Sequence, residues 1–255
     1  MPLSPFFPRN GKRYSKAELK KALNYGPTYA FLERFASADM YYHKWDFQED
    51  AINLDYWALA NSGGTSAADF AISVARYGKI QGDTGTTDDG SISLVSPLIY
   101  YGDDNVGCRF RFKLDVVTDV HWECGFIDAV PGSNTGGVND IDTPTAFATD
   151  IAVLAMDTDQ TLKTPAFVTK GTAISAAKTN ISQTTLPAAD TYMDVVIQTA
   201  TNSAACWVNG KLENAPVASM LEGGTALALW FYCRTRNTTA KFPDIDLIEV
   251  WGNRG

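Results

Sequence analysis

TYMDVVIQTAT (Thr191–Thr201), ACWVNGKLE (Ala205–Glu213), ALALWFYCRTR (Ala226–Arg236) and DIDLIEVW (Asp244–Trp251) follow one another near the C-terminal end. Each is a short block of β-branched and aromatic residues, the pattern of a strand. Asn209-Gly210 lies inside the second stretch. Both residues tolerate the positive φ of a tight turn, so the chain is expected to fold back on itself there as a hairpin. A paired-strand finish of this kind predicts an antiparallel sandwich rather than an α/β enzyme fold.

The same pattern extends upstream. CRFRFKLDV (Cys108–Val116) alternates strictly, with Cys108, Phe110, Phe112, Leu114 and Val116 on one side and Arg109, Arg111, Lys113 and Asp115 on the other. That is a strand with one dry and one wet face. VHWECGFIDAV (Val120–Val130) repeats it, with Trp122, Cys124 and Phe126 on a shared face. The expected core is Phe110, Phe112, Trp122, Phe126, Val195, Ile197, Leu229 and Phe231. Further strands are read over Tyr41–Phe47, Leu54–Asn61, Ala71–Gly82, Ile92–Tyr101, Ile151–Asp159 and Ala166–Ser175. PGSNTGGVNDIDTPT (Pro131–Thr145) interrupts them, and so long a turn-rich stretch inside a domain is usually functional or flexible.

The first residues read differently. Residues 1–14 are rich in Pro, Arg and Lys and are expected to be extended. Ser15 and Glu18 have the spacing of a capping box for a helix over AELKKALN, which stops near Gly26-Pro27. A second helical piece, TYAFLERFA, puts Tyr29, Phe31, Leu32 and Phe35 on a face too apolar for a free tail. The chain thus divides into an N-terminal docking arm, 1–44, and a sandwich domain, 45–255. Residues 1–21 hold six basic residues against Glu18 alone, a charge of +5, which leaves −13 for the rest of a chain of net charge −8. In the arm, Arg9, Lys12, Arg13, Lys20 and Lys21 suit an acidic partner surface, while Phe6, Phe7, Tyr29 and Phe31 suit apolar pockets between subunits.

Several function classes are disfavoured. A body of −13 does not suit phosphate backbones, so no specific nucleic-acid partner is expected. No stretch approaches the ~18 apolar residues of a membrane span, and no apolar leader opens the sequence, so synthesis in the cytosol without a membrane partner is expected. Cys108, Cys124, Cys206 and Cys233 sit in apolar strand patterns without metal-ligand spacing and read as buried free thiols. His43 and His121 lie far apart and read as strand or packing residues. Asp88-Asp89, Asp103-Asp104 and Asp140 with Asp142 read as turn formers rather than calcium ligands. No P-loop or dinucleotide fingerprint is present, and neither cofactor nor metal is expected. Trp45, Trp57, Trp207, Trp230 and Trp251 could serve either a glycan-stacking surface or the core.

The strand order resembles the concanavalin-like (laminin-G-like) jelly roll of structural proteins in tailed-phage virions. The matching stretches are Trp57 with the Gly63-Gly64 turn, GKIQGDTGTTDDGSISL, CRFRFKLDVVTDVHWECGFIDA with its G-F-x-D-A turn at Gly125–Ala129, YMDVVIQTATNSAACWVNGKLEN, and the finish ALALWFYCRTRNTTAKFPDIDLIEVW. The resemblance covers about residues 45–252. It implies an all-β, two-sheet antiparallel jelly-roll sandwich and a non-enzymatic capsid decoration or cement protein on the outer capsid surface. The arm would then tie it to the major capsid protein or to sister subunits in a homo-oligomer, a trimer by preference. The alternative is a carbohydrate- or receptor-binding module of a head or tail fibre that meets a host-surface glycan. The third reading is a glycoside hydrolase, because Asp244-Ile-Asp246-Leu-Ile-Glu249 resembles the ExDxxE signature of that fold's hydrolases. Here the first position is Asp, and alternation puts Glu249 on the face opposite Asp244 and Asp246 unless a bulge intervenes. No catalytic residue is therefore expected.

Overall fold

The computed structural model describes residues 40–47, 52–62, 69–72, 78–129, 131, 135–171, 177–180, 187–200, 203–213, 217–218 and 224–253. In chain order the strands are β1 (Met40–Trp45), β2 (Ala58–Ser62), β3 (Asp69–Ile72), β4 (Ile80–Asp83), β5 (Ser91–Val95), β6 (Tyr100–Tyr101) and β7 (Gly107–Leu114). Next come β8 (Val120–Ile127), β9 (Val138–Asp140), β10 (Thr145–Ala146), β11 (Ile151–Asp157), β12 (Ala166–Lys170) and β13 (Ala177–Asn180). The last are β14 (Met193–Ala200), β15 (Ser203–Val208), β16 (Lys211–Leu212), β17 (Val217–Ala218), β18 (Ala226–Thr235) and β19 (Pro243–Asn253). One 3-10 turn, Gly102–Asp104, is the sole helical element among the described residues. The capping-box helix and the second helical piece lie outside those residues. β1 crosses the boundary placed at residue 45.

The strands form two antiparallel sheets. The first runs β16-β15-β14-β7-β19-β4-β3, with β1 also on β19 and β17 on β15. The second runs β13-β12-β11-β8-β18-β5-β2, with β6 also on β18, and β9 and β10 make a separate two-stranded pair. The C-terminal strands are thus inserted centrally: β18 between β8 and β5, β19 between β7 and β4. The Asn209-Gly210 turn forms as expected, with φ of 49° and 80° and Val208 paired to Lys211.

All eight expected core residues are buried between the sheets. Each such side chain contributes about 1.5–3 kcal/mol relative to exposure. The four cysteines are buried in strands too, and burial pushes their thiols up. Gly125 is not the turn residue that the resemblance implies. It sits within β8, opposite Val153 and Trp230, at φ +147°, and a Cβ there would fall on the Ala152 carbonyl and lie 2.8 Å from Ile197 Cδ1. Close backbone approach is what requires glycine at this point.

Candidate functional site

The acids of the C-terminal motif lie on the outer face of the first sheet. Between Ile245 and Leu247 the β19–β7 register shifts, so that Asp244 faces Lys113 and Glu249 faces Arg109. This bulge corrects the expectation from alternation: all three carboxylates reach the same side. Each meets a cation of β7. Asp244 lies 3.7 Å from Lys113 Nζ, Asp246 3.3 Å from Arg111 Nη1, and Glu249 3.1 Å from Arg109 Nη1. Arg109 also donates from Nε to Asp194 Oδ1 at 2.8 Å, and the Tyr42 hydroxyl donates to Glu249. Burial opposes the charge on Arg109, but Asp194 and Glu249 outweigh it and raise its affinity for the proton. The row is a ladder of cross-strand ion pairs, with no pair of carboxylates left facing each other.

The outer face of the second sheet carries a second charged cluster, which sequence reasoning missed. On β8 alternation sends His121 and Glu123 away from the core, and both are buried all the same. Glu123 Oε2 accepts N–H bonds from Gly137 at 2.8 Å and Trp230 Nε1 at 2.7 Å, and Oε1 accepts from Val138 at 3.0 Å. His121 Nε2 lies 2.9 Å from Glu123 Oε1 and Nδ1 lies 3.8 Å from Asp157 Oδ2, yet neither ring nitrogen is aligned for a hydrogen bond. Asp157, on β11 directly opposite His121, accepts from Arg236 Nε at 2.9 Å. Burial raises the Asp157 carboxyl, but His121 and Arg236 outweigh that and hold it below the ordinary carboxylate range. Two carboxylates thus flank one imidazole at the centre of this sheet. Trp230 and Tyr232 stack beside them, with centroids 5.7 Å apart and planes 9° apart.

A third feature is open to solvent. Where β1 ends, Lys44, Trp45, Asp46, Phe47, Ile52, Asn53 and Trp57 line a half-open cavity of about 120 Å³. Its wall is aromatic: Trp45 stacks on Tyr56 at 4.8 Å and meets Trp57 edge-on at 5.2 Å. A turn built on Asn53 sets this geometry, its carbonyl accepting the Trp57 N–H at 2.8 Å and its Oδ1 accepting the Asp55 N–H at 3.0 Å. At the rim, Lys44 Nζ lies 3.3 Å from Asp46 Oδ2. The Trp57 Nε1–H is buried without a hydrogen-bond partner. Behind the cavity, burial, opposed by a hydrogen bond with Tyr100, pushes the Tyr56 hydroxyl up to about 12.

The remaining expected residues are placed as follows. Phe6, Phe7, Arg9, Lys12, Arg13, Lys20, Lys21, Tyr29 and Phe31 lie outside the described residues. Trp57, Trp207, Trp230 and Trp251 are buried, and Trp45 is half-buried at the cavity. Asp89 pairs with Arg234 and Arg236, while Asp140 and Asp142 accept backbone N–H bonds from Thr143, Thr161 and Leu162.

No protein-family model matches the chain, and a search of curated proteins finds no relative. Solved structures do match. A protein of unknown function from Shewanella oneidensis is 14% identical, with 95% of each chain covered and a TM-score of 0.56. A Bacillus licheniformis β-glucanase is 11% identical over 86% of this chain and 100% of its own, at 0.56. The Emp47p carbohydrate recognition domain is 10% identical over 82% and 94%, at 0.54. At these identities the likeness shows the fold, an all-β concanavalin-like jelly roll. It also corrects two expectations. Glucanases and glycosyl hydrolases recur among the structures that share the fold, so the capsid-decorating role and the non-enzymatic assignment are withdrawn.

Proposed function

We propose that this is a carbohydrate-active protein that takes up a sugar ring in the Trp45–Trp57 cavity. The observation that carries the reading is the cavity itself: aromatic walls, with a Lys–Asp pair and an Asn at the rim. Sugar C–H faces pack on aromatic rings, while hydroxyls need a few placed donors and acceptors. At about 120 Å³ the space falls well below the roughly 300–1,000 Å³ of drug-sized sites. It suits one ring or a chain end rather than a long glycan. The structural neighbours, a carbohydrate recognition domain and β-glucanases among them, support the same ligand class. A glycan array followed by calorimetry tests it. Trp45→Ala should weaken binding of any captured saccharide by about tenfold or more, as loss of an aromatic anchor does, with far-UV circular dichroism unchanged. Binding that survives this change would remove the cavity from the function.

Glycan cleavage is the second reading. The observation favouring it is the pair Glu123 and Asp157 on either side of His121, since glycosidases work with two carboxyl groups. In the present arrangement Glu123 is fully occupied by N–H donors, so substrate would have to displace Gly137 and Val138. Reducing ends released from β-glucans, lost in both Glu123→Gln and Asp157→Asn, would support cleavage; release unaffected by either change would count against this site.

A further inference from the structure

Residues 135–149, which contain β9 and β10, lie across the outer face of the second sheet. Val138, Ile141 and Ala148 are buried there in one cluster with Ile127, Ile151, Val153 and Val168. Polar ties run along the segment. Phe147 N–H donates to the Gly137 carbonyl at 2.8 Å, and Lys170 Nζ donates to the carbonyls of Ala146 and Ala148 at 3.3 and 3.1 Å. Asp128 accepts the Thr149 N–H at 3.1 Å. Near its start, a single side chain holds two successive backbone amides: Glu123 binds the N–H groups of both Gly137 and Val138.

Contact at this point is close enough that any side chain would have to displace its neighbours. A Cβ on Gly136 would fall on Glu123 Oε1 and lie 2.8 Å from His121 Cε1. Directly beneath, His121 is only 3% exposed, with both ring nitrogens unaligned. A buried polar group short of well-formed hydrogen bonds is costly, and a partly satisfied network is costlier than an apolar one. Opening of the segment would hydrate the imidazole and relieve that cost, whereas the two sheets keep their own ladders and core.

We propose that residues 135–149 form a strap latched over the second sheet by the Glu123 carboxylate, and that the strap opens as a unit while both sheets stay folded. Opening would uncover the stacked Trp230–Tyr232 pair together with His121 and Asp157. The inference is independent of saccharide binding at the Trp45–Trp57 cavity, which lies at the end of β1.

Amide hydrogen exchange on the full chain tests the latch. In the unmodified protein the amides of Gly137, Val138 and Phe147 should share one opening step and exchange faster than those of Val153 and Leu154 in β11. Glu123→Gln replaces one acceptor oxygen by an amide that cannot accept. It should speed the three strap amides by about tenfold or more and leave Val153 and Leu154 unchanged. Gly136→Ala should do the same with Glu123 retained. If the strap amides of the unmodified protein exchange only together with those of β11, the strap does not open as a unit. If they keep their rates in a folded Glu123→Gln protein, the carboxylate is not the latch. Either result overturns the proposal.

Discussion

The outer faces of the two sheets carry similar charged residues but differ in how far solvent reaches some of them. On the first sheet, Arg111 and Asp246 pair 3.3 Å apart with side chains 41% and 28% exposed. On the second, Asp157 pairs with Arg236 with its side chain wholly buried and that of Arg236 13% exposed. Solvent reaches and partly screens the Arg111–Asp246 pair, although Arg109 and Glu249 on the same face are nearly buried. The cluster on the second sheet depends on a cover, because alternation alone would have left His121 and Glu123 in water. A charge on the outward side of a strand is therefore a surface feature or a structural requirement according to what a distant segment does.

The sharpest way to break this contrast is at the backbone beneath the covered face. Gly125→Ala places a methyl group on the Ala152 carbonyl at a φ that L-residues rarely adopt. It should cost about 3 kcal/mol or more, since strain and steric conflict act together at the central strand. A urea midpoint close to that of the unmodified protein would show that β8 and β11 can move apart, and that the second sheet is looser than its burial implies.

Comparable in size is Arg236→Ala. It leaves Asp157 buried opposite His121 without its guanidinium, a change that costs about 3–5 kcal/mol when a buried pair is broken. The pH dependence should follow. The Asp157 carboxyl is held low in the folded protein, so its contribution is full above its unfolded value of about 3.9 and is lost as pH falls through the folded value. In the variant, acid unfolding should begin at higher pH, followed by circular dichroism between about pH 5 and 2. Identical acid midpoints would mean that His121, not Arg236, holds Asp157 ionised.

Legibility in the sequence follows the same division. The nine-residue alternation of Cys108–Val116 and the Asn209-Gly210 turn are local signals, and the expected core and hairpin form where they point. His121 and Glu123 carry no such signal. Their burial comes from the segment around Gly137 and from partners on β11 and β18, which are distant in sequence. The reading of HWECG as a strand with Trp122 and Cys124 inward is correct, but the outward positions could not be assigned without the cover. The bulge at Asp246 is similar. No glycine or proline marks it, and it shows only in the pairing with β7. The cavity needs the end of β1 beside the Asn53 turn, a juxtaposition made by the fold rather than by any motif.

The smallest expected effect lies on the first sheet. Asp246→Asn removes one charge from a partly exposed pair, and such pairs near solvent are worth about 0–1 kcal/mol because solvation and side-chain entropy nearly offset the attraction. The bulge gives Asp246 its reach to Arg111, and Ile245 and Ile248 on either side remain anchored in the core whatever residue 246 carries. The urea midpoint should therefore move by less than about 0.5 kcal/mol equivalent, and still less in high salt, where the pair is screened further. Any hydrolytic activity should be untouched, because Asp246 faces a cation rather than a second carboxylate. A large loss of stability would mean that the ladder Asp244–Lys113, Asp246–Arg111 and Glu249–Arg109 acts as one network. The outer face of the first sheet would then be tied into the fold as firmly as that of the second.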